Sequence, residues 1–304
     1  MLEAPPPLWR RRRAWLSLGT SLALLIWLGA QLDLEEAVAL VQGASWPWLL
    51  LAAGLGPLQV LLSAERWRRA VTALGLPLPR SEAISEFALS TFLNQVLPGG
   101  MAGDAVRVLR QRRQDRPIGP VVRAAVADRA LGLGVHCAVV IAGLLAWPWL
   151  HPGIPRPAGA VGLAVLIAGA MLSAAWVPEQ TPIWGRQAAQ MRTAVLSSQV
   201  VVGQLVLSVL LTCSFLLGFA CCGVALGQPL GAATVTVVPW VLLAMVVPIS
   251  VGGWGPREAT AVALLPLVGV SMEAAAATSA LYGLTALAGA LPGALVPLLS
   301  RREP

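Results

Sequence analysis

The sequence predicts an all-α polytopic membrane protein with about six full spans and two Pro/Gly-broken re-entrant helical hairpins in an inverted repeat. Two observations predict this class. The 304 residues are 57% hydrophobic and only 12% charged. Soluble domains are roughly 45–50% apolar when glycine is counted as apolar. On the same count this chain is about 66% apolar. The charges also lie between long uncharged stretches. A soluble enzyme, a disordered chain and a disulfide-stapled secreted domain therefore fit poorly.

Uncharged stretches locate the spans, because a helix needs about 20 apolar residues to cross the hydrocarbon core. Full spans are predicted at 14–32, 45–64, 119–146, 157–177, 196–226 and 274–299. Segments 82–112 and 230–270 remain, and proline and glycine interrupt both. We expect a single transmembrane domain, 1–304, whose first half at 14–146 and second half at 157–300 each contain one of these segments as a re-entrant hairpin.

The N-terminus has the order of a signal peptide, with arginines at 10–13 before an apolar run. That run is about 19 residues long, beyond the roughly 7–15 of a signal peptide, and no small-residue cleavage site follows. It is therefore predicted to remain as the first span. The four cysteines lie in apolar runs without metal-ligand spacing. We interpret them as small hydrophobic residues between helices.

The arginines predict the orientation, since cytoplasmic loops near span ends carry an excess of positive charge. All 21 basic residues are arginines, and a cytoplasmic N-terminus puts nearly all of them on the cytoplasmic side. Arg156 falls on the opposite side, and Arg129 and Arg257 lie at membrane depth. We expect an integral protein of the bacterial or archaeal cytoplasmic (inner) membrane with both termini cytoplasmic. No nucleic-acid partner is expected, because a soluble basic face with interleaved aromatics is missing.

Two segments carry similar breaks. In the first, a stretch containing Asn94 ends at Pro98, and Arg107 follows. In the second, an apolar stretch ends at Pro248, and Arg257 follows. Glycines lie between, and the arginine stands nine residues after the proline in both. Three predicted spans separate the segments, so the second would enter the membrane from the opposite side. Chance similarity is the alternative in a chain with 30 Gly and 24 Pro.

Such breaks favour an anion site, because a broken helix exposes backbone N–H groups near the midplane. Asp104 is predicted to cap the helix that carries Arg107, and a Gly-Pro pair to start the helix that carries Arg257. An arginine at a helix start can bind phosphate through two N–H groups. Alternatively, Arg107 heads the arginine cluster at 110–116 that contacts lipid headgroups. Arg257 lacks such neighbours and is expected to contribute more.

Asp128 and Arg129 lie about ten residues into the apolar pattern 118–147, roughly 15 Å deep at 1.5 Å per residue. Helix neighbours point about 100° apart, so the two are expected to find other partners. Either they line a polar cavity, or the helix starts later and they lie at the interface. The candidate substrate-binding residues are Asn94, Pro98, Gly99, Gly100, Gly103, Asp104, Arg107, Asp128, Arg129, Pro248, Gly252, Gly253, Gly255, Arg257 and Glu258.

At these motifs the chain resembles the flippase-like membrane domain of lysylphosphatidylglycerol synthases and their stand-alone relatives. The resemblance rests on the runs 94–107, 127–133 and 248–259 and covers about 14–300. Asp128 departs from the family pattern, which has Glu before the arginine. The resemblance implies a lipid translocase with re-entrant segments that acts on aminoacylated phospholipids or on other anionic or polyprenyl-linked lipids. We expect a stand-alone member without the aminoacyl-transfer domain.

The expected function is therefore movement of a phosphate-bearing lipid across the inner membrane, with such membrane lipids as partners. No catalytic residue, metal site or cofactor is expected, because His136 and His151 form no metalloprotease motif and no loop is long enough for a nucleotide-binding domain. We interpret His136 as a hydrogen bonder between helices and His151 as an interfacial loop residue. The alternative is a non-catalytic membrane subunit that holds a lipid- or glycan-modifying enzyme, which would not need charges at the breaks.

Overall fold

The computed structural model describes residues 8–98, 100, 102–112, 116–157, 159, 161–163, 166, 185–198, 200–246 and 250–299. Within these ranges the regular secondary structure is helical. The helices are α1 (Leu8–Gly29), α2 (Leu34–Gln42), α3 (Trp46–Ala73), α4 (Arg80–Val96), α5 (Ala102–Arg112), α6 (Ile118–Leu150), α7 (Gly185–Leu196), α8 (Val201–Ala225), α9 (Ala233–Thr236), α10 (Val238–Leu243), α11 (Pro256–Leu264), α12 (Met272–Ala290) and α13 (Val296–Leu299). Short 3₁₀ turns follow α10, α11 and α12.

Four helical runs in the described residues are long and apolar enough to cross a membrane: α3, α6, α8 and Met272–Leu298. The helices α1 and α2 make a fifth only as a pair bent by 98°. The protein is therefore a helical membrane protein with four to five apolar spans in its described part. The predicted span 157–177 lies mostly outside the described residues.

A bend between α1 and α2 follows the predicted first span, 14–32, whose helix ends at Gly29. A carboxylate oxygen of Asp33 accepts the backbone N–H groups of Glu35 and Glu36 at 3.0 and 3.1 Å. This is an N-cap, which starts a new helix at Leu34 and ends the first span at Gly29. The chain therefore bends by 98° between the two helices.

The span predicted at 45–64 also ends later than expected, at Ala73. The prediction stopped at Glu65, the first charge after the apolar stretch. In the structure Glu65 accepts hydrogen bonds from Arg68 at 2.8 Å and from Arg69 at 2.9 Å. Because these partners lie three and four residues along the same helix, the charges stabilise α3 instead of ending it.

The helices α3, α8 and α12 form the centre of the bundle. The crossing of α3 and α12 is very close, since a Cβ atom on Gly56 would lie 2.6 Å from the Cα atom of Gly289. Small residues permit such an approach between membrane helices. The aromatic rings of Phe219 and Tyr282 pack beside this crossing, 5.3 Å apart.

Both segments predicted as hairpins are pairs of helices joined by a turn. The first consists of α4 and α5, which lie antiparallel because Glu86 pairs with Arg110 near one end and Asn94 with Gly103 near the other. The second consists of α10 and α11 around the turn 250–255. Of the described candidate site residues, all but Asp128 and Arg129 lie in these hairpins, and those two lie in α6.

Candidate functional site

The two predicted breaks meet in the structure. Pro98 and Val251 form an isolated antiparallel β-bridge between the hairpin turns. A Cβ atom on Gly252, whose φ is +55°, would lie 2.7 Å from the carbonyl oxygen of Gln95. Only glycine fits this conformation and contact without strain. The backbone N–H of Val251 also donates to Ser21 Oγ on α1 at 3.1 Å, so α1 holds the second turn.

Three other turn glycines, Gly100, Gly253 and Gly255, also have positive φ. Two predicted site residues, Gly99 and Pro248, lie outside the described residues.

The first break is held by Asn94 and Asp104. The side-chain oxygen of Asn94 accepts the backbone N–H of Gly103 at 2.8 Å. A Cβ atom on Gly103 would lie 2.0 Å from the carbonyl oxygen of Ser90, so this glycine lets α5 pack on α4. The prediction that Asp104 caps α5 is wrong, because the helix begins at Ala102. Asp104 lies in the first turn of α5, and its carboxylate accepts hydrogen bonds from side chains.

Four side chains donate to the Asp104 carboxylate. Ser90 lies at 3.2 Å, Asn94 at 3.4 Å and Arg107 at 3.1 Å, and Arg129 donates from α6. Asp104 therefore connects three helices of the bundle through one carboxylate. A carboxylate can accept about four hydrogen bonds, so it is fully used.

Arg107 lies in an aromatic clamp and is 1% exposed. Its guanidinium carbon lies 4.3 Å from the ring centres of both Trp67 and Phe87. Asp104 occupies Nη2, whereas Nε and Nη1 are buried without a hydrogen-bond partner in the described residues. Burial lets cation–π contacts stabilise the charge but leaves these two nitrogens without an acceptor.

Two arginines of the cluster that follows Arg107 have acidic partners of their own. Arg110 donates to both oxygens of the buried Glu86, at 2.8 and 2.9 Å. Arg116 pairs with Glu82. Arg110 thereby links α5 to α4, and Arg116 links the segment after α5 to α4. Because both arginines already have acidic partners, they are not available to replace Arg107.

The second break follows the predicted helix start. Gly255 is the N-cap of α11 with φ +98°, and Pro256 is the first helical residue. Glu258 accepts the backbone N–H of Gly255 at 2.8 Å, which completes the cap. The predicted placement of Arg257 and Glu258 in the first turn is confirmed.

Arg257 is fully buried, with 0% exposure. Its Nε donates to Glu258 at 2.9 Å and to Ser279 at 3.1 Å. Its guanidinium carbon lies 4.8 Å from the ring centre of Trp254 and 5.7 Å from that of Tyr282. Nη1 is buried and has no hydrogen-bond partner in the described part of the chain. Both breaks thus carry a buried arginine between two aromatic rings, beside an acid, with a spare N–H group.

A family described as the lysylphosphatidylglycerol synthase TM region matches residues 14–293. The chain belongs to this family. Comparisons with curated proteins and with solved structures find no match. The family match contains both breaks and every predicted site residue.

In this lysylphosphatidylglycerol synthase TM region, Asp128 and Arg129 point to different partners, as predicted. Asp128 is buried and accepts from Arg66 Nε at 2.7 Å, and Arg66 also donates to Ser208 at 3.2 Å. The side chain of Arg129 reaches Asp104. Arg66, which was counted among the cytoplasmic arginines, is buried within α3 and does not lie in a loop.

Sequence reasoning missed the aromatic rings around the arginines. Trp254 lies within the second motif, and Tyr282 is the only tyrosine of the chain; both were available signals. Trp67 and Phe87 lie far from Arg107 in sequence, and only the tertiary packing brings them together.

The histidines lie away from the breaks. His136 bonds the carbonyl oxygen of Pro239 through Nε2 at 2.8 Å, which confirms its role between helices. His151 directly follows α6, is buried, and bonds Thr236 at 2.9 Å. His151 thus lies in a loop, as predicted, with its ring packed 4.6 Å from that of Trp147.

Gly283→Ala is expected to destabilise the second break. A Cβ atom there would lie 2.2 Å from Arg257 Nη2 and 2.8 Å from the Trp254 ring. Such overpacking costs about 1–3 kcal/mol. Thermal unfolding in detergent measures the loss, with Gly54→Ala as the control because its Cβ atom would meet nothing within 4 Å. Equal unfolding temperatures in the two variants would contradict the clamp around Arg257.

Proposed function

We propose that the protein translocates an anionic, phosphate-bearing lipid, either an aminoacylated phospholipid or a polyprenyl phosphate, across the cytoplasmic membrane. Membership of the family supports a lipid-related membrane function. One observation supports translocation of a phosphate-bearing lipid in particular. Arg107 and Arg257 are buried beside two touching helix breaks, and each retains N–H groups without a partner in the described residues.

The free-energy cost of burying these unpartnered N–H groups supports the presence of a ligand. A buried donor without a partner costs about 1–3 kcal/mol, and more when it is charged. Ionisable residues inside a membrane protein usually mark a substrate pathway. Phosphate oxygens accept short, charge-assisted hydrogen bonds from guanidinium groups. A lipid phosphate would therefore satisfy the donors that the protein leaves free.

The arrangement of the hairpins suits alternating access. In this proposal α4–α5 and α10–α11 enter the membrane from opposite sides as re-entrant halves of an inverted repeat. The corresponding position of an arginine after each break supports this relation. Broken helices that meet near the midplane are the usual substrate site of repeat-built transporters. The protein then changes the leaflet of the lipid and makes or breaks no covalent bond.

Reconstitution tests the proposal. Phosphatidylcholine vesicles with purified protein and a fluorescent phosphatidic acid are treated with an impermeant reductant that destroys outer-leaflet fluorescence. We expect the inner-leaflet label to become accessible faster than in protein-free vesicles, and faster than fluorescent phosphatidylcholine. A fluorescent polyprenyl phosphate extends the comparison. If none of these anionic lipids moves faster than in empty vesicles, the non-catalytic subunit described above is the better function.

We also propose that both termini face the cytoplasm of a bacterial or archaeal cell. A cysteine replacing Pro155, an exposed residue after α6, is then expected to react with an impermeant maleimide in intact cells. A cysteine replacing Gln190, an exposed residue of α7, should react only after permeabilisation. Both variants require a background without the four native cysteines. The reverse pattern of labelling would overturn the orientation.

A further inference from the structure

A groove lies in the angle between α1 and α2 and is closed by α12. Its volume is about 330 Å³, and its walls include Leu28 on α1, Val38 and Val41 on α2, and Ala276 and Ala280 on α12. Pockets for small molecules range from about 300 to 1,000 Å³ and are mostly apolar. The groove is therefore large enough for one hydrocarbon chain but not for a whole lipid.

The groove ends at the second break. Glu258 is the only charged residue that lines it in the described part of the chain. The Glu258 carboxylate already accepts from Arg257, Ser279 and the backbone of Gly255. It therefore faces the groove as part of a neutral pair. In this pair, Nη1 of Arg257 has no hydrogen-bond partner in the described residues.

The mouth of the groove faces the region where the protein meets lipid. Around it, Trp27, Leu34 and Val38 expose more than half of their surface. Asp33 begins α2 at the corner of the bend, outside the apolar walls of the groove.

We propose that this groove holds one acyl chain of an anionic phospholipid while the phosphate of the same lipid is presented to Arg257. The complementarity is that of an amphiphile: the walls are apolar for the chain, and next to Glu258 at the end lies the buried guanidinium of Arg257, which has one nitrogen without a partner in the described residues, for the anionic head. The proposal rests on the proposed function and adds the place where the substrate enters. It commits to an acyl chain, because a volume of about 330 Å³ is too small for a polyprenyl chain.

Photo-crosslinking tests the groove directly. Protein is reconstituted in phosphatidylcholine vesicles that contain a minor fraction of phosphatidic acid with a diazirine in its acyl chain. We expect mass spectrometry to find labelled residues on α2 and α12, at Val38 and Ala280 among others. Ala280→Phe should lower this labelling about tenfold, which is the effect of excluding a pair of methylene groups from an apolar site. Leu284→Phe, an exposed position one turn along α12, is the matched control.

The outcomes separate this proposal from the proposed function. Equal labelling by diazirine-bearing phosphatidylcholine, or unchanged labelling in Ala280→Phe, would show ordinary contact with bulk lipid and overturn the groove. Val38→Trp repeats the test from the exposed face of α2 if Ala280→Phe does not fold. Normal translocation in a variant whose groove labelling is lost would leave the proposed function intact and remove the groove as the entry. Specific groove labelling without translocation by the wild type would keep the lipid site and reject the translocase.

Discussion

Asp128→Ala is expected to lower the free energy of unfolding by about 3–5 kcal/mol, the usual cost of leaving a buried charge without its partner. Arg66 would be that charge. It is buried in α3 and donates to Asp128 at 2.7 and 3.3 Å, and Ser208 is a neutral partner that cannot replace the carboxylate. Unfolding of the purified protein in mixed micelles with increasing denaturing detergent measures the loss.

A double variant separates charge from packing. Arg66→Met with Asp128→Leu removes both charges and keeps apolar volume, so most of the stability is expected to return. Arg80→Ala is the control, because Arg80 is 75% exposed and such surface pairs contribute little. If Asp128→Ala is no less stable than Arg80→Ala, the buried ion pair does not hold α3 to α6.

Arg107→Ala is expected to lower the affinity for the anionic lipid roughly 10- to 150-fold, because a charge-assisted hydrogen bond contributes about 1.5–3 kcal/mol. Arg107→Lys should recover only part of this loss, since an ammonium group lacks the planar fork that stacks between Trp67 and Phe87. The reductant assay on reconstituted variants, with Arg80→Ala as control, measures translocation. Folded Arg107→Ala protein that transports normally would remove Arg107 from the site.

The contacts change the order of importance that the sequence indicated. Arg257 was favoured because Arg107 has arginine neighbours. In the structure two of those neighbours, Arg110 and Arg116, are bound to Glu86 and Glu82. Within the described residues, two side-chain nitrogens of Arg107 have no hydrogen-bond partner, whereas one nitrogen of Arg257 has none. Arg107→Ala is therefore expected to impair lipid affinity at least as much as Arg257→Ala.

Local chemistry explains which parts of the site could be predicted. The helix start at Gly255 and Pro256 depends on consecutive residues, and the structure has it where the sequence indicated. The predicted end of α3 was too early because it was placed at the first charged residue after an apolar stretch. In the structure Glu65 pairs with arginines of the same helix, so the helix continues past these charges. The partner of Asp128 could not be predicted, because Arg66 is 62 residues away and only helix packing brings the two together.

The charges around the Asp104 carboxylate make the two breaks electrostatically different. Around Arg107, the acids Asp104 and Asp128 face three arginines, at 66, 107 and 129. This cluster therefore has an excess of one positive charge, whereas Arg257 and Glu258 balance each other. In the proposed function, a phosphate bound at the first break would bring its surroundings to neutrality, while the same phosphate at the second break would add a charge to a neutral pair. The two breaks would then hold the lipid unequally: Coulomb attraction would hold the headgroup at the first, and retention at the second would depend on contacts with the rest of the lipid.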